Sequence, residues 1–121
     1  MSDESRFEIG NKAEQLYFSV FDLTTNRQHY PVKFRLMADE LQKCALSIHN
    51  NLLSANSIKS DTLQRKSKRY DLQIEAVAQC NRMLSLTKYS IHANLISAAV
   101  GEQWTNLTHD VKCMTLAWCK T

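Results

Sequence analysis

Apolar side chains recur along this chain at alternating steps of three and four, the spacing of one face of an α-helix. Ile9, Ala13, Leu16, Val20 and Leu23 form the first such seam. Ser5 and Glu8 ahead of it are spaced as a capping box, and Thr24-Thr25-Asn26-Arg27 closes it. The lone proline, Pro31, suits the first turn of a second helix, where its missing N–H costs nothing. Phe34, Met37, Leu41, Cys44, Ile48 and Leu52 then carry that helix to about Ala55. The polar stretch Asn56–Asp61 is a connection, and a third helix starts at Asp61 or Thr62. A fourth, from Ser90 or Ala93, carries Val100, Trp104, Leu107, Val111, Met114 and Trp118. The pattern predicts helices over about residues 6–27, 31–56, 61–88 and 92–120.

The third helix is unusual. At about 100° per residue, Ile74, Ala76, Val77, Ala78, Cys80, Met83, Leu84 and Leu86 surround nearly its whole circumference. A thin polar strip of Glu75, Gln79 and Arg82 interrupts them. A helix apolar nearly all round is buried on more than one side, so homo-oligomerisation is expected. Gly101 stands inside the fourth helix, where Gly costs about 1 kcal/mol against Ala; a close helix–helix approach is one reason for it, a tolerated accident the other.

Composition narrows the fold. Two Gly and one Pro occur in 121 residues, where average usage gives about 14. Such a chain lacks the tight turns of a sandwich or barrel, and neither isolated glycine makes a phosphate loop. With 44% hydrophobic and 22% charged residues, a packed core forms and wholesale disorder is excluded. Short connections set successive helices antiparallel. The expected fold is all-α, a single up-down-up-down antiparallel four-helix bundle.

The net charge of +3 is unevenly spread. Residues 59–88 hold seven basic and three acidic side chains, whereas residues 1–29 hold three basic and five acidic. Cys44, Cys80, Cys113 and Cys119 make no C-x-x-C pair and no zinc-like spacing. The opening Met1-Ser2-Asp3-Glu4-Ser5 is acidic and polar, unlike a secretory leader, and no apolar run approaches the length of a membrane span. A cytoplasmic protein with buried thiols and no membrane association is the expectation.

Catalytic chemistry is hard to find. His29, His49, His92 and His109 fall on different elements with no metal-ligand spacing. The neighbours Asp39-Glu40 and His109-Asp110 point about 100° apart on a helix and make no dyad. No Glu-x-x-His pair faces a bundle core. We expect no enzyme and no cofactor. Tyr17, Phe18, Phe21, Trp104 and Trp118 are read as core or subunit-interface aromatics.

What stands out is Arg65-Lys66-Ser67-Lys68-Arg69. Like charges this close on a helix repel by a few tenths of a kcal/mol per pair, about 0.2–0.5, and cations at a helix start oppose the helix dipole. A polyphosphate would relieve both and bind through counterion release. Arg82, Lys88 and Lys59 extend the positive field along the chain. Two readings stay open on the residues alone, a solvated helix start or a backbone-directed nucleic-acid site.

Tyr30-Pro31, Phe34-Arg35, Ala45-Leu46-Ser47-Ile48, Asn51-Leu52 and Ala55-Asn56 resemble the second helix of a family of small bacterial four-helix bundles. That family includes the intervening-sequence protein of split 23S rRNA genes and the accessory variability determinant (Avd) of diversity-generating retroelements. The closing Met114-Thr115-Leu116-Ala117-Trp118-Cys119-Lys120 is similar to its hydrophobic-Trp-x-Lys ending, although Leu116-Ala117 departs from the small residues preferred there. Ala55-Asn56 looks more like the Avd branch. The resemblance implies a basic, ring-like homopentamer that binds a reverse transcriptase together with RNA or DNA and supports mutagenic cDNA synthesis without being the polymerase. It assigns backbone contacts to Arg65, Lys66, Lys68, Arg69 and Arg82, followed by Lys33, Arg35 and Lys88. The alternatives are a bundle of the ribosomal-insert type or a protein-only interaction scaffold.

Overall fold

The computed structural model describes the backbone of residues 3–121 and the side chains of residues 8–121. Among the described residues four α-helices follow one another: α1 (Asp3–Thr24), α2 (Arg35–Asn56), α3 (Leu63–His92) and α4 (Ala98–Cys119), with one 3-10 turn at Val32–Phe34. No strand occurs among the described residues. Each helix packs against its sequence neighbours, and α1 also packs against α4.

The predicted seams form the core. Ile9, Ala13, Leu16 and Val20 of α1 are at most 1% exposed. Leu41, Cys44, Ile48 and Leu52 of α2 and Trp104, Leu107, Val111 and Trp118 of α4 face them. Polar bonds between helices fix the alignment of neighbours. The Trp104 indole N–H donates to Ser19 Oγ at 2.8 Å, and Lys12 Nζ to Asp110 at 3.1 Å, joining α1 to α4. Gln42 Nε2 donates to Thr24 Oγ1 at 2.8 Å, and the His49 ring stacks on Tyr17, joining α1 to α2. Arg82 pairs with Glu40, and the Cys44 thiol donates to the Gln79 carbonyl at 3.1 Å, joining α2 to α3.

The girth of α3 has an internal cause. Ala76, Cys80 and Met83 are fully buried, and Val77, Leu84 and Leu86 are half-buried, because α3 packs against both α2 and α4. Ile74 at 38% and the small Ala78 are what remains outside. Outside that apolar stretch, α3 exposes Leu63 at 85% and Tyr70 and Tyr89 at 49% each, while Phe18 at 54% and Phe21 at 45% are exposed on α1 and Leu53 at 52% on α2.

Helix ends differ from expectation, each for a local reason. The helix already includes Asp3 and Glu4, and the capping role expected of Ser5 lies outside the described side chains. α1 stops at Thr24, where the Thr24 and Thr25 hydroxyls donate to the Val20 and Phe21 carbonyls. Asn26 then accepts from Gln28, His29 and Tyr30. Pro31 is extended (φ −60°, ψ 165°) and nucleates the 3-10 turn, its carbonyl accepting from Phe34 N–H at 2.8 Å, so α2 begins one turn later.

α3 continues to His92, beyond the predicted Lys88, and closes in a Schellman motif. Asn94 takes φ +60°, Asn94 N–H donates to the Ile91 carbonyl, and Leu95 N–H donates to Ser90. α4 therefore starts only at Ala98, after Ser97 Oγ accepts from Val100 N–H. The close approach at Gly101 is present: a Cβ there would lie 2.4 Å from Ile91 Cδ1 and 2.6 Å from Cγ1.

Candidate nucleic-acid interface

The start of α3 is placed by Thr62, whose Oγ1 accepts from the Arg65 N–H at 3.1 Å. From that cap the helical period distributes the cationic run. Lys66 and Lys68 point into solvent, and Lys59 in the preceding turn joins them. Lys59, Arg65 and Lys68 line one open depression of about 440 Å³ with Ser57 and Ile58. Among the described residues no carboxylate is ion-paired with Lys59, Lys66 or Lys68. Lys120, at the end of α4, adds an exposed cation close in sequence to the buried Trp118.

Arg65 also points outward, but both its carboxylate contacts are internal: Nη1 donates to Asp61 at 2.9 and 3.0 Å. An exposed i,i+4 pair of this kind is worth about 0.3–0.5 kcal/mol, weak enough to be exchanged for a phosphate. Arg69 does not belong to the exposed surface. It is 5% exposed, and its guanidinium carbon lies 5.5 Å from the Trp118 ring centroid. A guanidinium over an indole face is held by the ring quadrupole, so Arg69 ties α3 to α4. The signal was available in the helical phase, since stepping back from buried Ala76 through Gln73 arrives at Arg69.

The remaining predicted cations form no continuous band with these. Arg82 is engaged with Glu40 midway along the bundle. Lys88 is exposed on the same helix as Lys68, twenty residues away, which is about 30 Å at 1.5 Å per residue. Lys33 and Arg35 belong to that far end. Lys33 Nζ sits 5.3 Å from the centroid of its neighbour Phe34, and Arg35 lines a depression of about 370 Å³ with Arg27, Asp39 and Gln42. Of the eight cations singled out in the sequence, the structure keeps Arg65 and Lys68 together beside Lys59, and turns Lys66 onto the neighbouring face of the same helix end.

Other candidate chemistry is sparse. No group of three or more His, Cys, Asp and Glu side chains is arranged to hold a metal among the described residues. All four cysteines are free thiols. Burial pushes the Cys44 thiol up to about 11 and the Cys80 thiol up to about 12, the opposite of an activated nucleophile. His49 is half-buried on Tyr17, with Nε2 3.9 Å from Glu14. No helix among the described residues is long and apolar enough to cross a membrane. No family model, curated protein or solved structure matches the chain.

Proposed function

We propose that this chain is a non-catalytic, nucleic-acid-binding accessory protein, of the kind that the Avd resemblance implies for a diversity-generating retroelement. In this reading it engages a reverse transcriptase and its template RNA or cDNA. The observation that carries the proposal is that Lys59, Lys66 and Lys68, around the start of α3, are exposed and pair with no carboxylate among the described residues. Three cations without carboxylate partners are a standing electrostatic cost that polyanion binding removes. The site reads charge and backbone rather than base sequence, because among the described residues no helix-turn-helix presents a recognition helix.

The architecture proposed with it is an up-down-up-down antiparallel bundle. The cross-links support this: α1 meets α4 through Lys12–Asp110 and Ser19–Trp104, positions that run in opposite directions along the two helices. Glu40–Arg82 and Cys44–Gln79 have the same opposed sense between α2 and α3. Copies assemble into a homo-oligomer, with a pentameric ring as the form implied by the resemblance. Exposed Phe18, Phe21 and Leu53 supply apolar surface for such contacts. The same side chains favour the second reading, a scaffold that recognises protein only.

Salt separates the two. Fluorescence anisotropy with labelled RNA and DNA, from low to moderate salt, gives a log–log slope of about −2 or steeper when three phosphates are neutralised per protomer on a single strand. Lys66→Gln with Lys68→Gln weakens binding equally across sequences and leaves the helical circular dichroism intact. Absence of binding at low salt removes the nucleic-acid reading. A monomer by light scattering at micromolar concentration removes the assembly.

A further inference from the structure

Beside Lys66 lies a slot with a different chemistry. Leu63, Lys66 and Tyr70 follow at steps of three and four on one stripe of α3. Leu63 is 85% and Tyr70 49% exposed, unusual for side chains of that size. The stripe borders a pocket of about 240 Å³ between α3 and the end of α4, lined also by Gln73, Trp118 and Cys119. That is smaller than the roughly 300–1,000 Å³ that encloses a whole small molecule, so it suits a single planar ring system. Gln73 is 2% exposed, and its amide Nε2 donates to nothing among the described residues. A buried amide donor without an acceptor costs about 1–3 kcal/mol, and a ligand carrying a ring carbonyl or ring nitrogen removes that cost.

We infer that this slot holds one unstacked base of a single-stranded nucleic acid, with Tyr70 as its stacking platform. The inference rests on the polyanion reading of the adjacent lysines and specifies which form of nucleic acid they take. Lys66 stands one helical turn before Tyr70, so a phosphate held there presents its base to the phenol ring. An exposed aromatic beside backbone-directed cations is how single strands are held without sequence preference. A duplex keeps its base faces inside the stack and offers only phosphates. The Gln73 amide then meets the edge of the inserted base, as RNA-binding modules do with splayed bases.

The test compares three labelled ligands of about 12 nucleotides, a length within common single-strand site sizes: oligo-dT, an abasic strand of equal charge, and a duplex. The intact protein should prefer oligo-dT over the abasic strand by about 5–150-fold, the range of one base–aromatic stack. Tyr70→Ala should erase that preference while leaving abasic and duplex affinities unchanged, and Tyr70→Phe should retain it. Lys66→Gln with Lys68→Gln should lower all three affinities by like factors. If oligo-dT and the abasic strand bind the intact protein equally, the base slot is wrong although the polyanion reading stands. If Tyr70→Ala changes none of the affinities, Tyr70 is not the stacking platform and the base slot is wrong. If no ligand binds at low salt, both readings fall.

Discussion

Gly101→Ala reports directly on how α3 and α4 are joined. Two opposed effects act at this position. Replacing a helix-interior Gly by Ala gains about 0.8–1 kcal/mol of helix propensity. Against that, the new methyl would meet Ile91 Cδ1 at 2.4 Å and Cγ1 at 2.6 Å, where carbon atoms in contact prefer about 3.5–4.0 Å. Rotating χ2 moves Cδ1 away but leaves Cγ1 in place, so Ile91 must change χ1 or the α3–α4 turn must shift. Overpacking of that kind costs about 1–3 kcal/mol, which outweighs the propensity gain. The expected net effect is a loss of about 1 kcal/mol.

The sign should reverse when the obstacle is removed. In an Ile91→Ala background, Gly101→Ala should stabilise the protein by about 0.8–1 kcal/mol, giving a coupling energy of about 1–3 kcal/mol between the two positions. Urea unfolding followed by circular dichroism, at one fixed protein concentration so that any assembly contributes equally, measures all four corners of the cycle. A coupling of zero, with Gly101→Ala stabilising both backgrounds alike, refutes the close approach.

Two further outcomes follow from local geometry and burial. Asn94 holds φ +60° at the end of α3, so Asn94→Ala should lose about 1–2 kcal/mol and Asn94→Gly should not, again by urea unfolding. Burial raises the thiols of Cys44 and Cys80 from 9.0 to about 11 and about 12, while Cys113 is exposed. At pH 8, Ellman's reagent should therefore modify Cys113 rapidly and spare Cys44 and Cys80 until the chain unfolds. The same shifts set a stability window. Below pH 9 both thiols are protonated in the folded and unfolded chain and contribute no slope. Above it the unfolded chain releases protons that the folded chain retains, so stability falls as pH rises toward 11–12, with a limiting slope of about 1.4 kcal/mol per pH unit for each thiol. A flat profile between pH 9 and 11 contradicts that burial.

The legible part of this chain was its periodicity. Steps of three and four place Ile9, Ala13, Leu16 and Val20 on one helical face wherever that helix goes, and those residues are in the core. Helix ends were less legible, because a few backbone hydrogen bonds decide them. Pro31 was compatible with a first α-turn but supports a 3-10 turn through its own carbonyl. Asn94 could have continued a helix, yet its tolerance of positive φ lets it close one. Both signals were present as residue types; their competition with helix propagation was not resolvable from spacing.

Periodicity is a property of consecutive residues, and so the amino-acid order alone specified four helices, their inner seams and the cationic run at the head of the third. Exposure depends on what neighbouring helices cover, and only the packed chain decided that. It turned Arg69 inward onto Trp118, engaged Arg82 with Glu40, left Lys66 in water beside Tyr70, and left Lys68 in water beside Lys59 and Arg65. It also enclosed most of the apolar girth of α3 between two partners within the same chain. A charge run written in consecutive positions wraps around its helix, and the azimuth at which α4 docks separates the cations that hold the fold from those that face outward.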